Sequence, residues 1–256
     1  ETVDVSKLSV SSTPIADDVE STSSKLSSIS SADIKTISSS TYDSSQFSYG
    51  IDISYHQGKI DWAKVKASGV EYAFIRVGNR GYETGKLCKD ARFDENIQGA
   101  INNGIKVGVY FFSQAITEQE ALEEASLTLS YIRKYNITLP VVIDWETDNG
   151  YRTYSGLSKT KLTNIISTFC NTISNYGYEP MVYMCKSDFV SRINTTEITS
   201  RYKTWVAWYF KEYSTNDYPS NLFKFGDLMP DMTFDYYMWQ YSSKGRIGGI
   251  KELVDM

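Results

Sequence analysis

The sequence predicts an α/β protein, an irregular eight-stranded β/α barrel with few helices in its C-terminal part. Three observations lead to this prediction. Strand patterns and helix patterns alternate from residue 49 onward, which is typical of parallel strands joined by crossover helices. The last strand patterns follow one another without an amphipathic helix between them. Residues 140–146, PVVIDWE, read as a buried strand that ends in two acids, and the working residues of barrels lie at strand ends.

The chain divides by composition into two parts. Nearly half of residues 1–48 are Ser or Thr and apolar residues are sparse there, so this part is expected to be a linker or surface tail. Residues 49–256 have ordinary apolar content and are numerous enough for one domain with its own core. We therefore expect a single barrel domain over 49–256, present as a monomer.

Strand and helix signals alternate regularly in the first part of this domain. Residues 49–54 and 72–77 are apolar runs typical of strands, and residues 60–67 between them form a short helical pattern with Asp61 near its N-cap. A Gly-rich loop is expected over 78–91. The helical pattern at 93–103 stops at an Asn-Gly pair, which favours a helix C-terminus.

The middle of the domain continues the alternation with longer helices. Residues 106–112 predict the third strand, and TEQE at 117–120 predicts a capping box that opens a helix to about residue 135. The PVVIDWE run is the fourth strand. Residues 158–176 carry apolar side chains at helical spacing and are followed by Gly177, so they predict the next helix.

The pattern changes after the fifth and sixth strands, which are predicted at 179–184 and 204–209. Turn and loop composition fills 210–234 without an amphipathic helix. The seventh and eighth strands are predicted at 236–241 and 250–254, joined by a short Gly-containing turn. The barrel is therefore expected to be irregular at its end, where so short a turn is compatible with antiparallel strands.

Composition excludes several classes of function. The net charge of −5 gives no broad basic surface for nucleic acid, and no apolar stretch approaches the length of a membrane span. One histidine and three scattered cysteines supply neither a zinc spacing nor a disulfide framework, so no metal and no cofactor is expected. The sequence starts at Glu1 without a signal peptide, which fits the mature form of a secreted or cell-surface protein.

Four acidic residues fall at the predicted carboxyl ends of strands. Asp144 and Glu146 point to the same face because side chains alternate along a strand, and they lie roughly 6–7 Å apart. Asp52 ends the first strand and Asp255 follows the eighth, and these strands are neighbours in a closed barrel. Paired acids raise each other's cost of ionisation, so one can stay protonated near neutral pH. A glycosidase needs such a pair, although two neighbouring acids also occur in metal sites and at solvent-exposed strand ends.

A series of short motifs resembles the lysozymes of glycoside hydrolase family 25, the Chalaropsis type. The resemblance covers residues 49–256. It is carried by GIDISYHQG at 50–58 with IDW at 60–62, FIRV at 74–77, DARF at 90–93 with Asn96, GVYFF at 108–112, DWE at 144–146, WVAWY at 205–209, WQY at 239–241 and VDM at 254–256. Each motif alone is weak, but their order and spacing together are highly specific.

The resemblance implies an irregular β/α barrel that hydrolyses the β-1,4 bond between N-acetylmuramic acid and N-acetylglucosamine in bacterial peptidoglycan, with retention of configuration. By matching position, Glu146 would be the general acid/base. Asp144 would orient the 2-acetamido group of the substrate as that group attacks the anomeric carbon. Asp52 and Asp255 would complete an acidic wall that keeps Glu146 protonated and favours positive charge on the sugar.

Five further residues are candidates for substrate contact at the mouth of the barrel. Tyr110 would touch the acetamido group, and the other four would line sugar subsites: Trp208, Tyr209, Gln240 and Tyr82. Flat aromatic rings near strand ends suit sugar rings. Each of these residues could instead be ordinary rim or loop packing.

Two polar residues near the predicted site are expected to be structural. His56 is interpreted as a turn residue that packs near Asp52, and Arg76 as one partner of a buried ion pair. The last predicted strand has nothing in the sequence to hold it, and a frayed end would misplace Asp255.

Three alternative functions differ in how well they fit the sequence. A glycosidase acting on a related aminosugar polymer such as chitin would use the same acids. A peptidoglycan-binding module without catalysis would be expected to lack at least one of the four acids. A metal-dependent hydrolase such as a deacetylase needs a typical His-containing metal set, which His56 alone does not provide. A secreted muramidase acting on the bacterial cell wall is the leading hypothesis.

Overall fold

The structure is a computed structural model and describes residues 48–147, 150–152, 156–209 and 229–256. Its centre is a curled, mainly parallel sheet surrounded by helices, as the sequence predicts for a β/α barrel. The eight strands are β1 (Gly50–Ile53), β2 (Tyr72–Arg80), β3 (Leu87–Lys89), β4 (Lys106–Ser113), β5 (Val141–Trp145), β6 (Pro180–Cys185), β7 (Lys203–Ala207) and β8 (Met238–Gln240). Neighbouring strands follow the order β1-β2-β4-β5-β6-β7-β8, and β3 pairs with β2.

Helices join the parallel strands in the way that a parallel sheet requires. Within the described residues they are α1 (Trp62–Ala67), α2 (Phe93–Asn102), α3 (Glu118–Ile132), α4 (Lys159–Asn175), α5 (Lys186–Ser191) and α6 (Thr195–Thr199). The first four agree with the predicted helices. α5 and α6, between β6 and β7, lack a sequence prediction because they are short and, unlike the similarly short α1, begin without a capping side-chain hydrogen bond. Over the described part of the chain, no helix has the length and apolar character that a membrane crossing requires.

Three of the four predicted helices begin at a capping side chain. Asp61 opens α1 and Ser158 opens α4, each by accepting an N–H from the first turn. Thr117 opens α3 and accepts the Glu120 N–H at 3.2 Å. The predicted capping box is only half formed, because the Glu120 carboxylate accepts the N–H of Ile116 at 2.8 Å and not that of Thr117.

The predicted Gly-rich loop at 78–91 is partly wrong, because it contains a β-hairpin. β2 continues to Arg80, and β3 pairs antiparallel with its last three residues. Two glycines shape the turn between these strands. The Gly81 N–H donates to the Lys86 carbonyl at 2.9 Å, and Gly85 adopts a φ of 66°, which favours glycine. The glycines therefore mark a tight turn within the hairpin.

The predicted eighth strand at 250–254 is also wrong. Val254 and Asp255 form isolated antiparallel bridges to two different segments, at Gly245 and Asp52 respectively. No continuous ladder forms because the two bridges face different partners. The contact with β1 is still antiparallel, which agrees with an irregular end of the barrel. The helix-free stretch predicted at 210–234 lies mostly outside the described residues.

Alternate strand residues form a buried cluster on the inner face of the curled sheet. Its members come from β2, β4, β5, β6 and β7: Phe74, Tyr110, Val142, Met181, Tyr183, Trp205 and Ala207. A larger apolar cluster includes the buried faces of α1 to α4. In β5, Asp144 follows Val142 by two residues and therefore shares its face. The inner cluster thus forms an apolar floor beneath polar groups at the carboxyl ends of the strands.

A buried ion cluster joins the end of β2 to α3. The Arg80 guanidinium is 4% exposed and donates to Glu124 at 2.8 Å and to Glu123 at 3.0 Å. It also donates to the backbone carbonyls of Gly85 and Glu120. Burial raises the pKa of Glu124 to about 7, even though the adjacent guanidinium lowers it. In this cluster the free-energy cost of removing the charges from water therefore opposes the attraction between the paired charges.

Arg80→Leu is expected to lower the free energy of unfolding by about 3 kcal/mol at pH 8, because it leaves Glu124 buried without its cation. The loss is expected to be smaller at pH 5, where Glu124 holds a proton in the folded chain. Urea denaturation at both pH values measures the difference. The exposed pair between Lys64 and Asp61 is the control, and Lys64→Leu should leave the free energy of unfolding nearly unchanged at both pH values. An equal loss at both pH values for Arg80→Leu would contradict the role given to Glu124.

Candidate active site

The carboxyl ends of the parallel strands surround a cavity of about 200 Å³. All four acids singled out from the sequence line this cavity: Asp52, Asp144, Glu146 and Asp255. Three of them come from β1 and from β5 with its following residue, as the strand pattern indicates. The fourth reaches the cavity through its bridge to β1. The fold therefore brings together carboxyl groups that are up to 203 positions apart in the chain, from 52 to 255.

The end of β5 supplies the two acids at the centre of the cavity. Asp144 is buried and lies in register with Phe112 of β4 on one side and Tyr183 of β6 on the other. Glu146 follows the end of β5 and is partly exposed. The two side chains line the same cavity, with the deeper carboxyl held by the sheet and the shallower one nearer the solvent.

The Asp144 carboxyl is kept in an unfavourable environment for a charge. Burial raises its pKa well above the ordinary value, and the nearby Glu146 and Asp52 raise it further. The Arg76 guanidinium opposes this shift. Among the described residues, the Asp144 Oδ1 atom is buried and has no hydrogen-bond partner. A buried polar atom without a partner is costly, so this oxygen is suited to a ligand that brings its own N–H or O–H.

Asp255 and Met256 are held in place by backbone hydrogen bonds. The Asp52 N–H donates to the Asp255 carbonyl at 3.0 Å, and the Met256 N–H donates to the Ser242 carbonyl at 2.9 Å. Burial raises the pKa of Asp255 to about 6. Burial and then Asp255 raise the pKa of Asp52 well above its ordinary value. The structure thus places Asp255 at the cavity, and the fraying considered from the sequence is not observed.

Gln240 is the centre of a hydrogen-bond network in the cavity wall. Its amide nitrogen donates to Asp52 Oδ2 at 2.6 Å. Its amide oxygen accepts the Tyr183 hydroxyl at 2.7 Å and also the Tyr209 hydroxyl. Gln240 and Tyr209 were singled out from the sequence as sugar contacts, whereas Tyr183 was not. The alternation of side chains along the strands could have identified Tyr183. It lies beside Asp144 in the ladder and therefore faces the same cavity.

Gln240→Leu is expected to destabilise the chain by about 3 kcal/mol, because it removes partners from the buried Asp52 carboxyl and from two phenols. Urea denaturation at neutral pH measures the loss. Tyr209→Phe removes only one donor of the same network and should cost about 1 kcal/mol. Equal losses for the two variants would show that the amide is not the centre of the network.

The remaining predicted contact residues divide into two groups. Tyr110 and Tyr209 line the cavity. Tyr110 is buried, and its hydrogen bond to Asp52 lowers the pKa of that acid, against the effect of burial. Trp208 and Tyr82 lie outside the described lining. The Lys186 amine sits 4.7 Å from the centre of the exposed Trp208 ring. The exposed Tyr82 ring stacks on Tyr151.

His56 and Arg76 have structural contacts, as the sequence indicates. The Arg76 Nε atom pairs with the buried Asp90 carboxylate at 2.9 Å, which confirms the predicted ion pair. The same guanidinium lies 4.9 Å from the centre of the Tyr55 ring. His56 belongs to a short 3-10 turn after β1, and burial and then Arg76 lower its pKa. Both residues also line the cavity.

In residues 48–147, 150–152, 156–209 and 229–256, no group of three or more His, Cys, Asp or Glu side chains is arranged so that it could hold a metal ion.

A curled β/α sheet whose cavity is lined by several carboxyl groups and by aromatic rings has the arrangement that glycoside hydrolases use. The sequence profile described as Glycosyl hydrolases family 25 matches residues 51–250. The match covers more than half of the chain, and the protein therefore belongs to glycosyl hydrolase family 25.

Two curated relatives show how far the similarity extends. Lysozyme M1 of Streptomyces globisporus is 30% identical over 211 residues, which cover 80% of this chain and 65% of that protein. The autolytic lysozyme of Clostridium acetobutylicum is 25% identical over 207 residues, which cover 81% of this chain and 54% of that protein. The chain thus spans less than two thirds of each relative.

Solved structures share the fold. The structure of a bacterial lysozyme from Streptomyces coelicolor is similar, with a TM-score of 0.61 and 29% identity. The similarity covers 80% of this chain and 88% of that one. The modular autolysin LytC of Streptococcus pneumoniae, solved in complex with a synthetic peptidoglycan ligand, has a TM-score of 0.63 and 28% identity. That similarity covers 80% of this chain and 44% of LytC.

Proposed function

We propose that this chain is a lysozyme, a 1,4-β-N-acetylmuramidase that hydrolyses the bond between N-acetylmuramic acid and N-acetylglucosamine in bacterial peptidoglycan. Membership of family 25 and the lysozymes among its relatives support this proposal. The observation that carries it is the buried Asp144 carboxyl, whose Oδ1 has no partner among the described residues and which lines the same cavity as Glu146.

The first half of the proposed reaction breaks the glycosidic bond. Glu146 donates a proton to the leaving oxygen, and the acetamido oxygen of the substrate attacks the anomeric carbon. The acetamido N–H donates to Asp144 Oδ1, which orients the amide and stabilises the positive charge that develops on it. The product of this step is a cyclic oxazolinium ion on the substrate, so no protein nucleophile is needed, as in known substrate-assisted glycosidases.

The second half restores the enzyme. Glu146, now ionised, accepts a proton from water, and the water oxygen attacks the anomeric carbon and opens the ring of the intermediate. Two inversions at the same carbon give net retention of configuration. Asp52 and Asp255 face the same cavity, and positive charge on the sugar favours their ionised forms, which in turn stabilise that charge.

The substrate contacts belong to the same proposal. Tyr110, Tyr209 and Gln240 line the cavity and would contact the ring held at Asp144. Trp208 and Tyr82 are exposed beyond it and would contact more distant parts of the glycan. A substrate that is a cell-wall polymer also implies action outside the cell membrane, so we propose that the chain belongs to a secreted or wall-associated protein. We further propose that it works as a monomer. Residues 1–48 would be its linker or surface tail.

The identity of the new chain end tests the proposal. Purified Gram-positive cell walls are incubated with the chain, the new ends are reduced with borohydride, and the products are identified by mass spectrometry. Reduced N-acetylmuramic acid ends are expected for a muramidase, and NMR of the fresh product should show the β-anomer first.

Other outcomes assign other functions. Reduced N-acetylglucosamine ends would instead identify the chain as a glucosaminidase. Turnover of chitin oligomers in preference to wall would move the substrate to another aminosugar polymer. Retention on the wall pellet without any new ends would make the chain a peptidoglycan-binding module.

A further inference from the structure

Two tyrosines form a stacked pair beside the cavity. The ring centres of Tyr82 and Tyr151 are 5.5 Å apart, and the ring planes differ by 26°. Tyr151 also meets Phe112 edge-on, with ring centres 5.9 Å apart. Phe112 lines the cavity and lies in register with Asp144. A continuous aromatic surface therefore leads from the catalytic strand outward, past β4, to the hairpin of β2 and β3.

The outer ring of this surface is open to solvent. Tyr82 is 49% exposed, which leaves a large aromatic area uncovered although one face rests on Tyr151. Exposed aromatic rings beside a binding cavity offer flat apolar faces, and the C–H faces of pyranose rings pack well on such faces.

A single arginine joins the two segments that carry these tyrosines. Arg152, the residue after Tyr151, donates to Glu120 Oε1 at 2.7 Å and to the Gln114 carbonyl at 3.2 Å. Both members of this ion pair are mostly buried, with side chains 21% and 19% exposed. The pKa of Glu120 is lowered, because the hydrogen bonds from Arg152 and the Ile116 N–H outweigh the effect of burial. Residues 150–152 are thereby held to the start of α3.

The same guanidinium lies against the turn that carries Tyr82. A Cβ atom added to Gly85 would lie 3.0 Å from the Arg152 Cζ atom, and Gly85 has the positive φ that favours glycine. The Gly85 carbonyl also accepts a hydrogen bond from the buried Arg80. The hairpin turn and the Tyr151 segment therefore meet at one guanidinium, which sets the position of one tyrosine relative to the other.

We infer that the Tyr82–Tyr151 pair is a stacking subsite for a further sugar ring of the glycan strand, beyond the two rings at the cleaved bond, and that Arg152 is the positioning residue that holds it. This inference rests on the proposed function. A sugar fits the surface better than an acidic stem peptide, because Arg152, the residue next to Tyr151, is already neutralised by Glu120. The subsite therefore contributes to binding of long strands and takes no part in bond cleavage.

The subsite is tested with peptide-free peptidoglycan oligosaccharides of two lengths, the shorter spanning only the rings at the cleaved bond. Tyr82→Ala is expected to raise KM for the long oligomer roughly fivefold to tenfold, without a change in kcat. Its kinetics on the short oligomer should not change. Tyr82→Phe keeps the aromatic face and should behave like the wild type on both. An unchanged KM on the long oligomer, or an equal loss on both lengths, would overturn the subsite.

The positioning role is tested with Arg152→Met. The same selective rise of KM for the long oligomer is expected, because the two tyrosines lose their common support. Arg133→Met removes an exposed arginine at the far end of α3 and serves as the control without effect. A melting curve checks that each variant folds, and if Arg152→Met does not fold, the Tyr82 variants decide the inference alone. A folded Arg152→Met variant with wild-type KM would overturn the positioning role.

Failure of the subsite and failure of the proposed function give different results. If the wild-type chain cleaves neither oligomer, the proposed function fails, and equilibrium binding of the long oligomer to wild type and Tyr82→Ala replaces the kinetic comparison. Weaker binding by Tyr82→Ala would then still support a glycan subsite. Equal binding by both proteins would overturn it.

Discussion

Glu146→Gln is expected to clear cell-wall suspensions about a thousandfold more slowly than the wild-type chain, because the amide keeps the shape of the side chain and cannot transfer a proton. Fold and wall binding should be retained, since Glu146 is partly exposed and follows the end of the β5 ladder. The decrease in turbidity measures clearing, and pelleting with purified walls measures binding. The expected variant is therefore a protein that binds peptidoglycan and does not cut it.

Glu118→Gln is the matched control for this substitution. Glu118 is exposed in the first turn of α3 and does not line the cavity, so its change from carboxylate to amide should leave clearing unaltered. Normal clearing by Glu146→Gln would remove Glu146 from the proton-transfer role. Loss of binding together with clearing would instead indicate that the carboxylate holds the substrate.

Asp144→Asn is expected to lower the rate of clearing about a hundredfold and at the same time to make the chain more stable at neutral pH. The activity falls because the positive charge that develops on the substrate favours the ionised form of Asp144, and a neutral amide cannot supply that negative charge. The stability rises because Asn removes a buried acid whose ionisation is opposed by burial and by Glu146 and Asp52. At pH 7 the variant should therefore melt at a higher temperature than the wild-type chain.

The pH dependence of this gain follows from the direction of the pKa shift. Asp144 keeps its proton in the folded chain at pH values where the unfolded chain has lost it, so wild-type stability falls as the pH rises above about 4. Asp255, with a pKa raised to about 6, contributes in the same direction. The stability difference between Asp144→Asn and wild type should therefore vanish near pH 4 and grow toward pH 8.

Melting temperatures measured from pH 4 to pH 8 test this second prediction. Asp231→Asn is the control, because Asp231 is exposed and should show no gain at any pH. A variant that is less stable than wild type at pH 7 would mean that Asp144 forms stabilising contacts as an anion. A stable variant with full activity would exclude Asp144 from catalysis.

Particular elements show how much of the fold could be predicted. The helices α2 to α4 carry apolar periods over several turns, and capping side chains open α1, α3 and α4, so these four helices lie where the sequence predicts. The helices α5 and α6 have neither signal, because each is short and begins without a capping side-chain hydrogen bond, and the hairpin strand β3 has only three residues. The predicted strand at 250–254 has an apolar pattern but lacks a continuous partner, and a strand exists only through its pairing.

The candidate site divides in a similar way. Strand alternation and the ends of strands suffice to nominate Asp52, Asp144 and Glu146, because both are local properties of the chain. The motif order adds the family resemblance and with it the expected role of each acid. The sequence therefore determined the barrel class, the acids at the ends of β1 and β5 and the family, all of which depend on residue order along the chain. Asp255 was nominated from a strand that does not form, and its bridge to β1 decides its place.

Only the tertiary structure decided how these groups affect one another. The bonds from Gln240 to Asp52 and Tyr183 span 188 and 57 positions, so no local pattern contains them. The raised pKa of Asp144 likewise depends on burial and on charges contributed by separate strands. The same holds for Arg152, whose guanidinium joins a hairpin turn to a helix start. Desolvation and Coulomb interactions depend on distances in space, and these exist only once the strands have curled into the barrel.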